Sequence, residues 1–446
     1  MNILLIYPPF CTPSMMPYSL AYLKSFLEQN CQAEIKVLDL NAKFHRLRFP
    51  KQYQELQRSM SSEEYAQLLT TFDKLSRPIY AENNKKVIRN ELPDHFADMV
   101  RHIEEQYPDV VAISFVYNSQ GFYGKCLVDA LREKGILCVV GGPAVTNTIK
   151  KMTVHLKNEI EMLQFLKKQG IVTKEQHTTI IPDFSSFYQE DYLSKERIIP
   201  LKTSSTCFYK QCTFCTHFAQ VPYAEYDLDN IRQTVLQANA KYVYLIDDMI
   251  SKERLIALAN LFSHLDVKWL CQLRPTKDIL GILPQLYAGG LRVVSWGVES
   301  GSQRILDLMQ KGTEIDSIQN ILRESHAAGI KNMVHIMFAF PMETKEEFLE
   351  TIGLIDKNKV YIDIVMTCIF GLQKGAKVYK HPAQYGIIQV TEKQRTVLDP
   401  SISYTISTGL HNEEARVLQK KYQRCIDRIN KLPKIYNYFK EQTLLI

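Results

Sequence analysis

Ser204-Ser205-Thr206-Cys207-Phe208-Tyr209-Lys210-Gln211-Cys212-Thr213-Phe214-Cys215-Thr216-His217 places three cysteines within nine residues, spaced C-x4-C-x2-C. The run before it, Ile198-Ile199-Pro200-Leu201, is apolar and reads as a strand, so the cysteines fall on the loop that leaves it. A two-residue gap lets one tight turn aim two thiolates at neighbouring metals, and the longer gap brings in a third from the other side. That donor set suits a cubic [4Fe-4S] cluster with three protein ligands, whose fourth iron is left to hold a substrate or cofactor. Phe214, between the last two cysteines, is placed to cover one face of the cluster and limit water access, on which reduction potential depends. Two plainer readings stand beside this one. Cys207, Cys212, Cys215 and His217 also make a Cys3His zinc set, and three unligated thiols are the second alternative.

The chain is 446 residues long and 46% apolar, enough for two or three domains with large cores. A net charge of +6 is mild, which fits an anionic cofactor or substrate but is too diffuse to argue for nucleic acid, and no nucleic-acid partner is expected. Seven further cysteines are scattered, most inside apolar patterns such as Leu137-Cys138-Val139-Val140, where a thiol acts as a small buried hydrophobe. A reducing compartment suits such a chain. The start Met1-Asn2-Ile3-Leu4-Leu5-Ile6-Tyr7 lacks a basic segment and no apolar run approaches the ~20 residues that span a bilayer, so a cytoplasmic protein without membrane contact is expected.

The pattern predicts an α/β protein. Residues 2–7 read as an apolar strand closed by Pro8 and Pro9, 18–28 as a helix, and 34–40 as a second strand, the start of a doubly wound, Rossmann-like parallel sheet. A polar, helix-rich insertion over 41–106 interrupts it before strands at 110–116 and 136–140 resume the sheet. Gly141-Gly142 ends a strand, where such a sheet has its ligand crevice and glycine lets the backbone approach a bulky ligand; a plain turn is the alternative. This domain is expected to span 1–170, with a linker over 171–197.

From 198 to 370 strands and helices alternate at the spacing of a βα unit, which predicts a partial (β/α)6 barrel. Its strands are expected at 198–202, 242–246, 268–273, 293–298, 333–340 and 363–370. Barrels of this kind carry their chemistry at the C-terminal ends of the strands, where the cysteines fall. Asp247-Asp248 after the second strand and Glu299 at the end of the fourth lie on the same rim and are candidates for an ammonium group or ribose hydroxyls. Helix capping is the plainer account, and it explains Asp248 and Ser300 well. Arg274, just past the third strand, is a candidate for gripping a carboxylate, with a surface ion pair as the alternative. Residues 371–446 read as a helical C-terminal extension: irregular to about 388, then a helix-period tail over 412–441 that docks on the barrel, covers its open side or recognises substrate.

These residues resemble the cobalamin-binding-domain radical S-adenosylmethionine (SAM) enzymes over about residues 1–370. The barrel resembles their catalytic domain through the cysteine loop, Ile246-Asp247-Asp248, and Gly297-Val298-Glu299-Ser300-Gly301-Ser302-Gln303 followed by Met309-Gln310-Lys311-Gly312-Thr313. The first domain resembles their cobalamin-binding fold through Tyr7-Pro8-Pro9, Val37-Leu38-Asp39-Leu40-Asn41, Pro108-Asp109-Val110-Val111-Ala112-Ile113-Ser114 and Gly141-Gly142-Pro143. The resemblance implies a [4Fe-4S] cluster on Cys207, Cys212 and Cys215, with SAM on the free iron. By the same analogy Asp247 or Asp248 would hold the methionyl ammonium, Glu299 and Ser300 other polar groups of SAM, and Tyr7, Ser114, Gly141, Gly142 and Pro143 cobalamin. It implies methylation of an unactivated carbon on a peptide or small natural product, fed by a reducing partner such as flavodoxin or ferredoxin. Cobalamin-independent cyclisation, epimerisation or rearrangement is the second expectation, and a zinc-stabilised binding protein the third. The chain departs from the family in its longer cysteine loop, in having no Asp-x-His-x-x-Gly to ligate cobalt, in Lys157-Asn158-Glu159-Ile160-Glu161 where relatives show Gly-Glu-Gly-Glu, and in the glycine-free Phe340-Pro341-Met342-Glu343-Thr344.

Overall fold

A computed structural model describes every residue of the chain except 175, 176, 178 and 217–220. The chain divides into two compact units: residues 1–200 with 229–240 and 394–400, and residues 201–228 with 241–393 and 401–446. The stretch 171–197, expected as a linker, groups with the first unit.

In the first unit, β1 (Asn2–Tyr7), β2 (Glu34–Asp39), β3 (Val110–Ser114), β4 (Leu137–Gly141) and β5 (Val154–Leu156) form a parallel sheet of order β2-β1-β3-β4-β5. Continuous apolar runs such as Ile3 to Ile6, all fully buried, suit a sheet covered on both faces. β5 was not anticipated, because three residues carry too little periodicity to register. The insertion folds as four helices, Leu40–Arg48, Pro50–Leu56, Ser62–Ile88 and Phe96–Glu104. Aromatic packing fastens it to the sheet: Phe10 stacks on Tyr80 and meets Phe44 and Tyr123 edge-on, with centroids 4.7–5.5 Å away.

The second sheet is built from β6 (Ile198–Leu201), β7 (Tyr242–Leu245), β8 (Lys268–Leu273), β9 (Leu291–Glu299), β10 (Lys331–Phe338) and β11 (Ile364–Ile369), in strictly sequential order. Its registers are parallel from β7 to β11, and helices separate successive strands, which is the partial (β/α)6 barrel expected. Trp269 and Trp296 fill its core, their indole N–H groups donating to Gly289 O and Asn332 Oδ1. The extension from 371 is not wholly helical. It opens with an antiparallel hairpin, β12 (Ile387–Lys393) and β13 (Ser401–Ile406), whose alternating polar faces hid it in an irregular stretch. The tail helix runs Asn412–Ile429 and stops before Pro433. It covers the open edge of the barrel: Gln419 donates to Thr367 Oγ1 at 2.8 Å, and Asn430 Oδ1 accepts the edge N–H of Val365 at 2.7 Å. Among the described residues no helix is long and apolar enough to cross a membrane.

Candidate active site

The loop leaving β6 is pinned on several sides. Asp247, at the end of β7 and 4% exposed, accepts from Thr203 N at 3.0 Å, Thr203 Oγ1 at 3.1 Å and Ser204 Oγ at 2.7 Å. Its carboxylate is therefore a strut under the cysteine loop. Asp248 is half-buried beside it. Truncation of Asp247 to alanine strands those donors at about 1–3 kcal/mol each; the expected result is faster hydrogen exchange over 203–206 and poor iron retention, read by exchange mass spectrometry and iron analysis.

Further along, Thr213 N donates to Met309 O at 2.9 Å, Val378 N donates to Thr213 O at 3.1 Å, and Tyr209 Oη donates to Gln310 O at 2.9 Å. Lys210 takes a φ of +55°, so the longer spacer turns there and presents Tyr209 to its neighbours. The Arg274 guanidinium lies 3.4 Å from the Tyr209 ring centroid and donates to Lys311 O. Arg274 is thus a clamp between two loops, and its buried Nε has no hydrogen-bond partner. Gly312, at φ +65°, is required here, since a Cβ would sit 2.4 Å from Tyr209 Oη.

Cys207, Cys212 and Cys215 are half-buried and free of disulfides. Burial pushes the Cys212 thiol up, Lys311 and Arg274 pull it down, and Cys207 and Glu299 push it up, so these groups share one electrostatic environment. Phe214 packs against an apolar cluster that includes Met309, Phe340 and Phe370, and Lys311 Nζ lies 5.6 Å from its ring centroid. Among the described residues no three or more His, Cys, Asp or Glu side chains surround a single-ion position. His217, the fourth ligand of the zinc alternative, lies outside the described residues.

Glu299 is aimed by a bulge. His335 of β10 pairs with Gly297 and Ile336 with Glu299, so Val298 is the extra residue, and Glu299 takes a φ of +69°. Its Oε1 accepts from Lys311 Nζ at 2.7 Å, the two side chains being 14% and 7% exposed. Gly297 admits this pair: a Cβ there would stand 2.8 Å from Lys311 Nζ and 2.9 Å from Glu299 Oε1. Lys311 went unassigned in the sequence, where only its place in a motif marked it. Ser300 is fully buried, its hydroxyl accepting from Ser302 N at 3.1 Å and meeting Thr351 Oγ1, so it braces the loop. Glu299 lines a cavity of about 170 Å³ inside the barrel with Gln272, His335, Met366, Thr367 and Cys368.

The loop after β10 holds a buried acid. Glu343 Oε2 accepts from Ala339 N, its Oε1 has no partner, and burial pushes its carboxyl up to about 8. A folded pKa raised above the unfolded value contributes stability that is complete below about 4.5 and lost as pH rises to about 8. Glu343→Gln is expected to flatten that loss, on the order of a few kcal/mol, and to melt above the parent at alkaline pH; thermal melts across that window check it.

In the first unit Tyr7 is buried and accepts from Cys11 Sγ at 3.7 Å, and Ser114 Oγ donates to Ser19 Oγ at 2.9 Å. These two of the five expected cobalamin contacts are therefore hydrogen-bonded within the protein. Ser114 and Gly141 are register partners, so the strand ends of β3 and β4 do come together. Gly142, at φ +104°, tolerates no Cβ, which would stand 2.2 Å from Phe115 O, and it and Pro143 are exposed.

Residues 201–355 match the family model of the radical SAM superfamily. An uncharacterized methyltransferase of Pyrococcus horikoshii is 21% identical over 398 residues, 78% of this chain and 85% of that one. Two solved structures share the fold: the cobalamin-dependent SAM radical enzyme OxsB with aqua-cobalamin bound (TM-score 0.63, 15% identity, 96% of this chain and 67% of that one), and the radical SAM methyltransferase TsrM from Kitasatospora setae with cobalamin and a [4Fe-4S] cluster bound (TM-score 0.60, 14% identity, 90% and 82%).

Proposed function

We propose, from the match of residues 201–355 to the radical SAM family model, that the chain is a SAM-cleaving methyltransferase that uses cobalamin to methylate an unactivated carbon on a peptide or small natural product. One observation carries the reading: a loop of three cysteines is pinned to the strand ends that also carry the Glu299–Lys311 pair and the barrel cavity. Three half-buried, unbridged thiols on a fastened loop fit a [4Fe-4S] cluster. When bound and reduced, the cluster with SAM supplies a 5′-deoxyadenosyl radical able to take hydrogen from an unactivated carbon. Cys207, Cys212 and Cys215 hold the cluster, and Phe214 shields it from water. Asp247 and the Arg274–Tyr209 stack fix the loop on which they sit. Asp247 or Asp248 receives the methionyl ammonium, and Glu299 with Lys311 orients the polar groups of SAM. Exposed Gly142 and Pro143 at the strand end offer backbone against which a broad planar ligand can lie.

Anaerobic reconstitution followed by assay for 5′-deoxyadenosine tests the reading. SAM cleavage with iron and acid-labile sulfide is expected; an intact reduced cluster that leaves SAM whole, or zinc without sulfide, overturns it. A cobalamin-independent cyclisation, epimerisation or rearrangement is favoured by one observation, the internal engagement of Tyr7 and Ser114. A hydroxocobalamin titration decides between the two, since an unchanged spectrum selects the second.

A further inference from the structure

The barrel cavity has a wall that the chemistry above does not use. His335 projects from β10 into the lining, and its Nε2 is hydrogen-bonded to Ser295 Oγ at 2.5 Å. Ser295 is fully buried, and this is its one hydrogen bond through the side chain among the described residues. The serine hydroxyl is satisfied as a donor when that ring nitrogen is bare, and this tautomer carries the imidazole hydrogen on Nδ1. Nδ1 makes no protein hydrogen bond among the described residues.

The lining carries no uncompensated charge. Glu299 is paired with Lys311 at 2.7 Å, and Gln272, Met366, Thr367 and Cys368 are neutral. Burial, reinforced by the positive Lys440 and Lys311, holds the His335 imidazole down at about 3, so it is neutral throughout the working range. A charged group entering such a lumen loses its hydration and finds no unpaired charge among the lining residues, Lys440 lying outside them, whereas a neutral acceptor gains a hydrogen bond. The volume, about 170 Å³, is close to that of an engineered cavity that takes benzene, roughly 150 Å³.

We infer that His335 is a substrate-positioning residue whose imidazole N–H holds an uncharged hydrogen-bond acceptor, a carbonyl, amide or ring nitrogen, in the barrel lumen. The part of the substrate that enters the barrel is then neutral and ring-sized, and a carboxylate there is refused. This rests on the reading of the barrel as the reaction chamber of a SAM-cleaving enzyme.

Benzamide and benzoate, which match in shape and differ in charge, are the probes, with binding measured by calorimetry on the reconstituted full-length protein loaded with SAM. Benzamide is expected to bind about tenfold more tightly than benzoate. His335→Phe should erase the difference, His335→Gln, which keeps an N–H donor, should restore most of it, and Ser295→Ala should fall between. Equal binding of the two probes, binding of neither, or a His335→Phe protein that keeps the preference overturns the assignment. So does a His335→Phe protein whose SAM affinity drops about tenfold, because the imidazole would then serve SAM and not substrate. Assay of 5′-deoxyadenosine on the same wild-type preparation separates the two levels: cleavage without benzamide preference sinks only this inference, while absent cleavage sinks the reading beneath it.

Discussion

Cys212→Ser is expected to leave a folded protein that holds almost no iron and releases no detectable 5′-deoxyadenosine from SAM. The cysteine loop owes its shape to contacts that do not involve the thiols: Asp247 beneath Thr203 and Ser204, Thr213 against Met309 and Val378, and Tyr209 against Gln310 and Arg274. Removing one sulfur therefore deletes a metal ligand without unfastening the loop. A hydroxyl is a poor ligand for iron in such a cluster, whose thiolates are bound as anions. Circular dichroism and melting temperature should match the parent, while the visible absorbance of the cluster disappears. Full cleavage activity in Cys212→Ser would remove the cluster from these three residues, and with it the proposed chemistry.

The sequence made the barrel legible because βα alternation depends on runs of apolar residues whose lengths survive any tertiary detail. Its six strands lie where hydrophobicity put them, to within a few residues at each end. The roles of individual polar groups were less legible, because a side chain's partner is chosen across the fold. Asp247 and Glu299 look alike as acids at strand ends, yet one is saturated by a neighbouring loop and the other is turned by a bulge toward Lys311 and a cavity. Arg274 offered a fork of donors, and its stacking on Tyr209 could not be foreseen without knowing where the extra residue of the cysteine spacer would turn. His335 left one faint signal, a lone polar residue inside Met333-Val334-His335-Ile336-Met337. The hairpin β12–β13 left almost none, since neither of its faces is strongly apolar.

Lys311→Met is expected to cost roughly 3–5 kcal/mol, the penalty for leaving a buried acid without its counter-ion. Glu299 cannot escape that penalty by swinging into water, because its backbone sits at φ +69° on a bulge and its carboxylate is enclosed beside Gly297. The same substitution removes a positive charge from the surroundings of Cys212 and from the face of Phe214, so cluster assembly suffers as well. Stability and ligand orientation are separable by a second change. Lys311→Met with Glu299→Leu replaces the ion pair by two apolar side chains of similar length, which is often neutral for stability. The double variant should therefore melt near the parent and far above Lys311→Met, yet bind SAM at least about tenfold more weakly than the parent, since both groups that orient it are gone. Calorimetric melts and SAM titrations on the reconstituted proteins read the two effects independently. A double variant that is stable and binds SAM as the parent does would make the Glu299–Lys311 pair a structural device alone, and SAM would then be held by other residues of the rim.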